Sequence, residues 1–213
     1  MASKKEFKEL GIDISHWQGG IDFRKVKEAG VSFVIIKAGG SDCGFYQDRQ
    51  FENYYRLSKL SGLKVGAYYY VGKRFLSALD GKTDAQRFMR IIQGKDFEYP
   101  VFLDLEETTP DNKEGATLAS IAFLEELEAN NYFTGIYASD ISGFKERLIY
   151  KSLEPYTKWV ARYSTKKPTY AKDFGIWQYS SNGQIDGINT NVDLDLSVID
   201  YAKIITEKGL NRG

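Results

Sequence analysis

The chain of 213 residues has one cysteine, Cys43, and one histidine, His16. A lone thiol excludes an intramolecular disulfide framework, and with a single imidazole there are too few ligands for a structural or catalytic zinc. No metal or other cofactor is expected. A charge excess of either sign is also lacking, with 29 basic residues against 29 acidic ones. There is thus no basic field for nucleic acid and no polybasic patch for a membrane surface. Lys4, Lys5 and Lys8 at the start are too few to change that. No apolar run approaches the roughly 20 residues of a membrane span, and the opening Met1 to Leu10 lacks the apolar core of an export leader. No strand runs into a GxGxxG or P-loop glycine pattern, which sets nucleotides aside. The expectation is one globular, monomeric domain large enough for a sizeable core.

What is abundant is aromatic: 15 Tyr, 13 Phe and 3 Trp. Part of this builds a core, but tyrosine in such number also lines surfaces on which flat, amphipathic partners stack. Sugars and bases are such partners, and the balanced charge favours sugars.

Along the chain, Leu10–Ile14 reads as a short buried strand, and Asp22 as the N-cap of a helix over Phe23 to Ala29 that stops at Gly30. Val31 to Ala38 is a continuous apolar run of the kind a parallel sheet requires. A helix over Asp48 to Ser61 places Phe51, Tyr54 and Tyr55 at helical spacing. Lys64 to Val71 is a third strand, and Thr83-Asp-Ala-Gln86 fits a capping box for a helix ending near Gly94. The fourth strand is the stretch Pro100 to Glu107, an apolar run that ends in acids, followed by a helix marked by Leu118, Ile121, Leu124 and Leu127. Phe133 to Ala138 is the fifth strand, with a short helix expected over Ile141 to Tyr150. Lys158 to Arg162, Phe174 to Tyr179 and Asn191 to Asp195 then read as strands in quick succession, and Ser197 to Lys208 as a closing helix. Alternation of this kind predicts an α/β fold: a single irregular TIM-like β/α barrel with five β-α units followed by closely linked strands. The expected division is an N-terminal extension over 1–9, the barrel over 10–208, and a tail or linker start over 209–213.

The acids give this barrel a chemistry. Chemistry in a parallel barrel sits at the C-terminal strand ends, and there the drawn strands place Asp13, Asp104, Glu106 and Asp193, with Asp195 competing with Asp193. Asp104 and Glu106, two apart on a strand, share one face about 6.6 Å apart. Carboxylates so placed raise each other's pKa, which suits a general acid beside an ionised partner. Each acid has an ordinary alternative as a loop anchor, turn residue or helix cap; their convergence is what points to a site. Tyr68, Tyr70, Tyr137, Trp159, Trp177 and Tyr179 converge on the same rim. Lys37, Arg162 and Gln178 interrupt apolar strands and are expected to hydrogen-bond a polar ligand or the acids.

Gly11-Ile-Asp-Ile-Ser-His-Trp-Gln-Gly19 resembles the opening motif of glycoside hydrolase family 25, the Chalaropsis-type lysozymes or N-acetylmuramidases. Further matches follow in order: Phe33–Ala38, Asp48 with Phe51 and Asn53, Gly62–Tyr70, Phe102–Glu106, Gly135–Tyr137, Trp159–Tyr163, Ile176–Ser180 and Val192–Leu194. Tyr69 departs from the His that many relatives carry, and as the residue between Tyr68 and Tyr70 it is expected to point away from the site. The resemblance implies cleavage of the β-1,4 bond between N-acetylmuramic acid and N-acetylglucosamine in bacterial peptidoglycan. By position, Glu106 matches the general acid/base, and Asp104, Asp13 and Asp193 the supporting acids. Tyr68, Tyr70, Tyr137, Trp159, Gln178, Lys37 and Arg162 are the expected substrate contacts. The leaderless, disulfide-free chain resembles a bacteriophage endolysin, made in the host cytoplasm and released to the wall by a holin, with a bacterial autolysin as the alternative setting. The rival functions are a non-catalytic wall-binding barrel, which retention of all four acids disfavours, and a chitinase-like hydrolase, which carries a longer acidic run where Val101-Phe102-Leu103 is apolar here.

Overall fold

The computed structural model describes residues 7–213. The reading of Met1 to Leu10 as leaderless therefore falls largely outside the described residues, as does most of the extension over 1–9. Among the described residues the chain forms β1 (Glu9–Ile14), α1 (Phe23–Glu28), β2 (Phe33–Gly40), the two-residue β3 (Tyr46–Gln47), α2 (Phe51–Leu60), β4 (Lys64–Val71), α3 (Ala78–Ile92), β5 (Val101–Leu105), α4 (Lys113–Glu128), β6 (Thr134–Ser139), β7 (Thr157–Ala161), β8 (Ile176–Gly183), β9 (Val192–Ser197) and α5 (Tyr201–Lys208).

The strands lie in the order β1-β9-β8-β7-β6-β5-β4-β2, and a β1–β2 pairing closes the ring. This is an eight-stranded α/β barrel, with β3 added as an antiparallel stub on the end of β2. Neighbours from β1 through β2, β4, β5, β6 and β7 to β8 are parallel. The eighth staff, β9, runs antiparallel to both β8 and β1. The link over 184–191 is shorter than the roughly dozen residues a parallel crossover requires, so β9 has to turn straight back.

Alternation along each strand sorts side chains into two layers. Phe33, Ile35, Tyr68, Phe102, Tyr137, Trp159 and Ile176 fill the barrel. Val34, Ile36, Val65, Tyr69, Leu103, Ile136, Val160 and Trp177 face outward, into a layer shared with Phe51, Phe88 and Phe123 of the helices. Burial of each large apolar side chain contributes about 1.5–3 kcal/mol. Tyr69 points outward as expected, packed on Phe88 and Phe123 with its hydroxyl 3.3 Å from Asp84 Oδ1.

Three expectations are corrected. The capping box of α3 lies at Ser77 and Asp80 rather than Thr83 and Gln86: Ser77 Oγ accepts from Asp80 N (3.2 Å), and Asp80 Oδ2 accepts from Ser77 N (2.9 Å). The helix begins earlier because tertiary packing tolerates Gly81 in its first turns, where a Cβ would lie 2.1 Å from the Ala119 carbonyl oxygen of α4. The helix expected after β6 is one π-helical turn, Asp140–Lys145, and a 3₁₀ turn, Tyr150–Leu153. Asp140 is buried there and accepts the backbone N–H groups of Thr169, Tyr170 and Ala171, which ties the segment sideways to a distant loop. The last residues are no free tail: Asn211 is buried, accepts from Phe133 N (2.6 Å) and donates to the Tyr99 carbonyl (2.9 Å).

Candidate active site

Each acid arrives at one mouth of the barrel by strand geometry. Asp13 is the penultimate residue of β1, Asp104 the penultimate residue of β5, and Glu106 the first residue beyond β5. Asp193 reaches the same rim from the opposite direction: it is the second residue of the antiparallel β9 rather than the end of a parallel strand, and pairs in register with Asp13. The expected position holds while the expected strand direction does not.

Asp13 and Asp104 are nearly sealed, at 7% and 4% exposure, whereas Glu106 reaches solvent at the mouth. Arg147 Nη1 holds the backbone there by donating to the Glu106 carbonyl (2.7 Å). Burial, and then the charge of Glu106, raise the Asp104 carboxyl well above the usual carboxylate range, with Lys37 opposing. Glu106 is raised by the protein walls around its otherwise exposed side chain and by Asp193, with Lys37 and Arg147 pulling it back. Both carboxyls are thus pushed toward keeping a proton at pH values where free carboxyls have lost theirs. Asp104 Oδ1 is cut off from water without a hydrogen-bond partner, an acceptor for an incoming donor.

Beneath this pair lies a second acidic layer. Gln178 donates to Asp13 Oδ2 (2.7 Å) and Asp193 Oδ2 (3.3 Å), and its Oε1 accepts from Tyr137 OH (2.8 Å) and Tyr163 OH (3.1 Å). One amide thereby fixes two acids and two phenols. Asp195, fully buried, accepts from Trp159 Nε1 (2.7 Å) through Oδ1, while its Oδ2 is buried without a hydrogen-bond partner. Burial pushes Asp195 up to about 7 and Asp193 up to about 6. Burial, then Asp195 and Asp193, raise Asp13 as well, against the hydrogen bond from Gln178.

The expected substrate contacts separate into two groups. Lys37, Tyr68 and Tyr70 line a cavity of about 400 Å³ together with Asp13, Asp104, Glu106 and Asp193. Lys37 Nζ stands 4.3 Å from the centroid of the Tyr70 ring, whose hydroxyl donates to Glu107. Tyr137 and Gln178 line a deeper chamber of about 100 Å³ below Glu106. Trp159 is the floor of that chamber, 1% exposed, packed edge-on against Tyr68 and tilted against Tyr137. Arg162 lies at the edge of a further cavity, of about 780 Å³, that Glu106, Tyr137 and Tyr163 also line. With Trp159 and Ala161 inward, period two sends it outward, where Nη1 meets Asp140 Oδ2 (2.9 Å) and Thr169 Oγ1 (2.6 Å) rather than the site acids. The same parity corrects Trp177 and Tyr179: Gln178 between them faces inward, so they pack on the outer side, Trp177 against Phe7 and Tyr179.

Tyr163 was not among the expected site residues, and Asp195 was expected only as a competitor of Asp193; both reach the site. Tyr163 is 57% exposed beside the mouth, and Asp195 lies two residues from Asp193 on the same face. Alternation along β9 puts Asp195 on the face of Asp193, whereas Tyr163 lies past the end of β7, where alternation gives no direction.

The profile of the family described as Glycosyl hydrolases family 25 matches residues 12–188. An autolytic lysozyme of Clostridium acetobutylicum is 30% identical over 185 residues, which cover 87% of this chain and 54% of that protein; the chain thus spans about half that relative's length. Among solved structures, the CTP1L endolysin superposes with a TM-score of 0.80 at 26% identity, covering 94% of this chain and 70% of that one. The catalytic domain of endolysin ply40 from bacteriophage P40 of Listeria monocytogenes gives a TM-score of 0.75 at 25% identity, covering 97% of this chain and all (100%) of that one. With the profile matched over most of the barrel, the chain belongs to glycosyl hydrolase family 25.

Proposed function

We propose that this barrel is a peptidoglycan hydrolase, a lysozyme that cleaves the β-1,4 bond between N-acetylmuramic acid and N-acetylglucosamine. Glu106 is the general acid/base and Asp104 its partner. The observation that carries the reading is the placement of Asp104 and Glu106 side by side at the end of β5, with Asp104 Oδ1 buried and unpartnered. Retaining enzymes with a carboxylate nucleophile set their two carboxyls on opposite sides of the bond. Neighbours on one strand suit a route in which the substrate's own 2-acetamido group is the nucleophile.

In that route the acetamido N–H donates to Asp104, which favours its ionised form and leaves the pair's proton on Glu106. Glu106 gives that proton to the glycosidic oxygen as the bond from C1 breaks, and the acetamido carbonyl oxygen closes on C1 as an oxazolinium ring. The Glu106 carboxylate then takes a proton from water as the water opens the ring, so configuration at C1 is retained. Asp13, Asp193 and Gln178 keep the chamber walls in place. The inner chamber, about 100 Å³ with Tyr68, Tyr137 and Trp159 on its walls and floor, suits an acetamido group's apolar methyl and polar amide.

In its setting, the domain acts on the bacterial wall as the catalytic part of a lytic enzyme, an endolysin in the first place and an autolysin in the second. The test is the turbidity of Gram-positive walls, with reducing ends assayed and fragments identified by mass spectrometry, for wild type beside Glu106→Gln. Muramic acid is expected at the new reducing end, with the rate falling on the order of 10²–10⁴-fold in the variant. Wall binding without reducing ends from either protein would replace the enzyme with a lectin-like barrel. An inverted first anomer by NMR would replace the acetamido route with water activated by Asp13 or Asp193.

A further inference from the structure

We propose that Trp17 is a carbohydrate-stacking platform that holds a second pyranose ring of the glycan beside the ring bound over Asp104. The inference rests on the glycosidase reading of the cleft and adds a binding subsite to it. Trp17 is 74% exposed, while the other two tryptophans, Trp159 and Trp177, are 1% and 4% exposed. Leu60 and Leu79 are as exposed, and single exposed apolar side chains are ordinary; what sets this indole apart is its place at the cleft and its flat face, suited to stacking. The side chain lines the same cavity as Asp13, Asp104, Glu106 and Asp193.

The indole is held firmly for a surface residue. It sits in the 3₁₀ turn His16–Gln18, where Ser15 caps Trp17 N and Gln18 Oε1 accepts from Ser15 N (2.9 Å). Gln18 Nε2 reaches across to the Asn191 carbonyl (3.3 Å), beside the start of β9. The His16 ring backs the indole at 4.6 Å between centroids, and is itself fixed by Asp48, whose Oδ2 accepts from His16 N (3.2 Å) and bonds Nδ1 (2.7 Å). Asp48 is 3% exposed, so this support reaches into the protein interior. A platform fixed in this way binds without the entropy of ordering a loose side chain.

The occupant is a neutral sugar ring. Asp13, Asp42, Asp104, Glu106, Glu107 and Asp193 outnumber Lys37 around the cavity, which favours an uncharged N-acetylglucosamine ring next to the muramic acid, and an indole face matches the C–H face of a pyranose. On the other side of Glu106, a cavity of about 780 Å³ holds Tyr137, Ile141 and Tyr163. The catalytic carboxyl therefore stands between two aromatic-bearing arms, with Trp17 marking one of them.

The test uses peptide-stripped glycan strands of alternating N-acetylglucosamine and N-acetylmuramic acid. In Glu106→Gln, which holds the glycan uncut, adding strands should shift tryptophan emission to the blue and shield it from a soluble quencher. Both changes should vanish in Glu106→Gln/Trp17→Phe. In the active enzyme, Trp17→Ala should raise KM about two- to tenfold, the range of one aromatic contact, with kcat little altered, and Trp17→Phe should recover most of the loss. An unchanged KM in Trp17→Ala, or an indole equally quenchable with and without glycan, overturns the platform while leaving the glycosidase reading intact. Failure of the wild type to release reducing ends or bind strands overturns both.

Discussion

Asp195 lies at the bottom of the acidic cluster without touching solvent, and Asp195→Asn should make the protein more stable. Burial lifts its pKa from 3.8 to about 7, a rise of about three units, or about 4 kcal/mol at roughly 1.36 kcal/mol per unit. The sign follows from linkage. Below the unfolded value, the carboxyl is protonated in both states and contributes no pH dependence. Between the two values the unfolded chain ionises while the folded one holds its proton, so stability falls as pH rises. Above the folded value the loss is complete and levels off. An asparagine amide keeps an oxygen for Trp159 Nε1 without a charge to bury. For a domain of this size about 1 kcal/mol moves the melting temperature by about 2–4 °C. Thermal melts of wild type and Asp195→Asn across a pH series should therefore diverge from near coincidence at about pH 4 to a gap on the order of 10 °C at about pH 8. No gap at the upper end, or a gap of equal size at both ends, would refute the placement of a proton on Asp195 in the folded state.

Two further outcomes test the supports of the site. Gln178→Leu strips partners from Asp13, Asp193, Tyr137 and Tyr163 at once. At about 1–3 kcal/mol for each buried group left unpaired, urea denaturation should show a loss of several kcal/mol, and wall lysis should fall with it; a variant as stable as wild type would show that the network carries little. Ser77→Ala removes the cap of α3 and should lower stability by about 1 kcal/mol while leaving kcat and KM alone, since the cap lies outside the cavities around Glu106.

Much of this molecule is legible locally. Two-residue alternation is a property of any extended chain, so Phe102-Leu103-Asp104-Leu105-Glu106 by itself places both carboxyls on one face, and Tyr68-Tyr69-Tyr70 by itself turns Tyr69 outward. The same rule, applied around Gln178, would have turned Trp177 and Tyr179 away from the cleft, and applied after Ala161 would have turned Arg162 out of the barrel, where it meets Asp140. Asp22 could be read as a cap because capping depends on the next two or three residues.

What tertiary structure alone decided is everything set by pairing between distant strands. The direction of β9 depends on where β8 ends, and the extension of β8 to Gly183 comes from its pairing with β9 rather than from its own polar residues. That reversal puts Asp193 opposite Asp13 and buries Asp195 against Trp159. The perturbed acids follow from it, because burial and neighbouring charge are properties of the closed barrel and of no single stretch of chain.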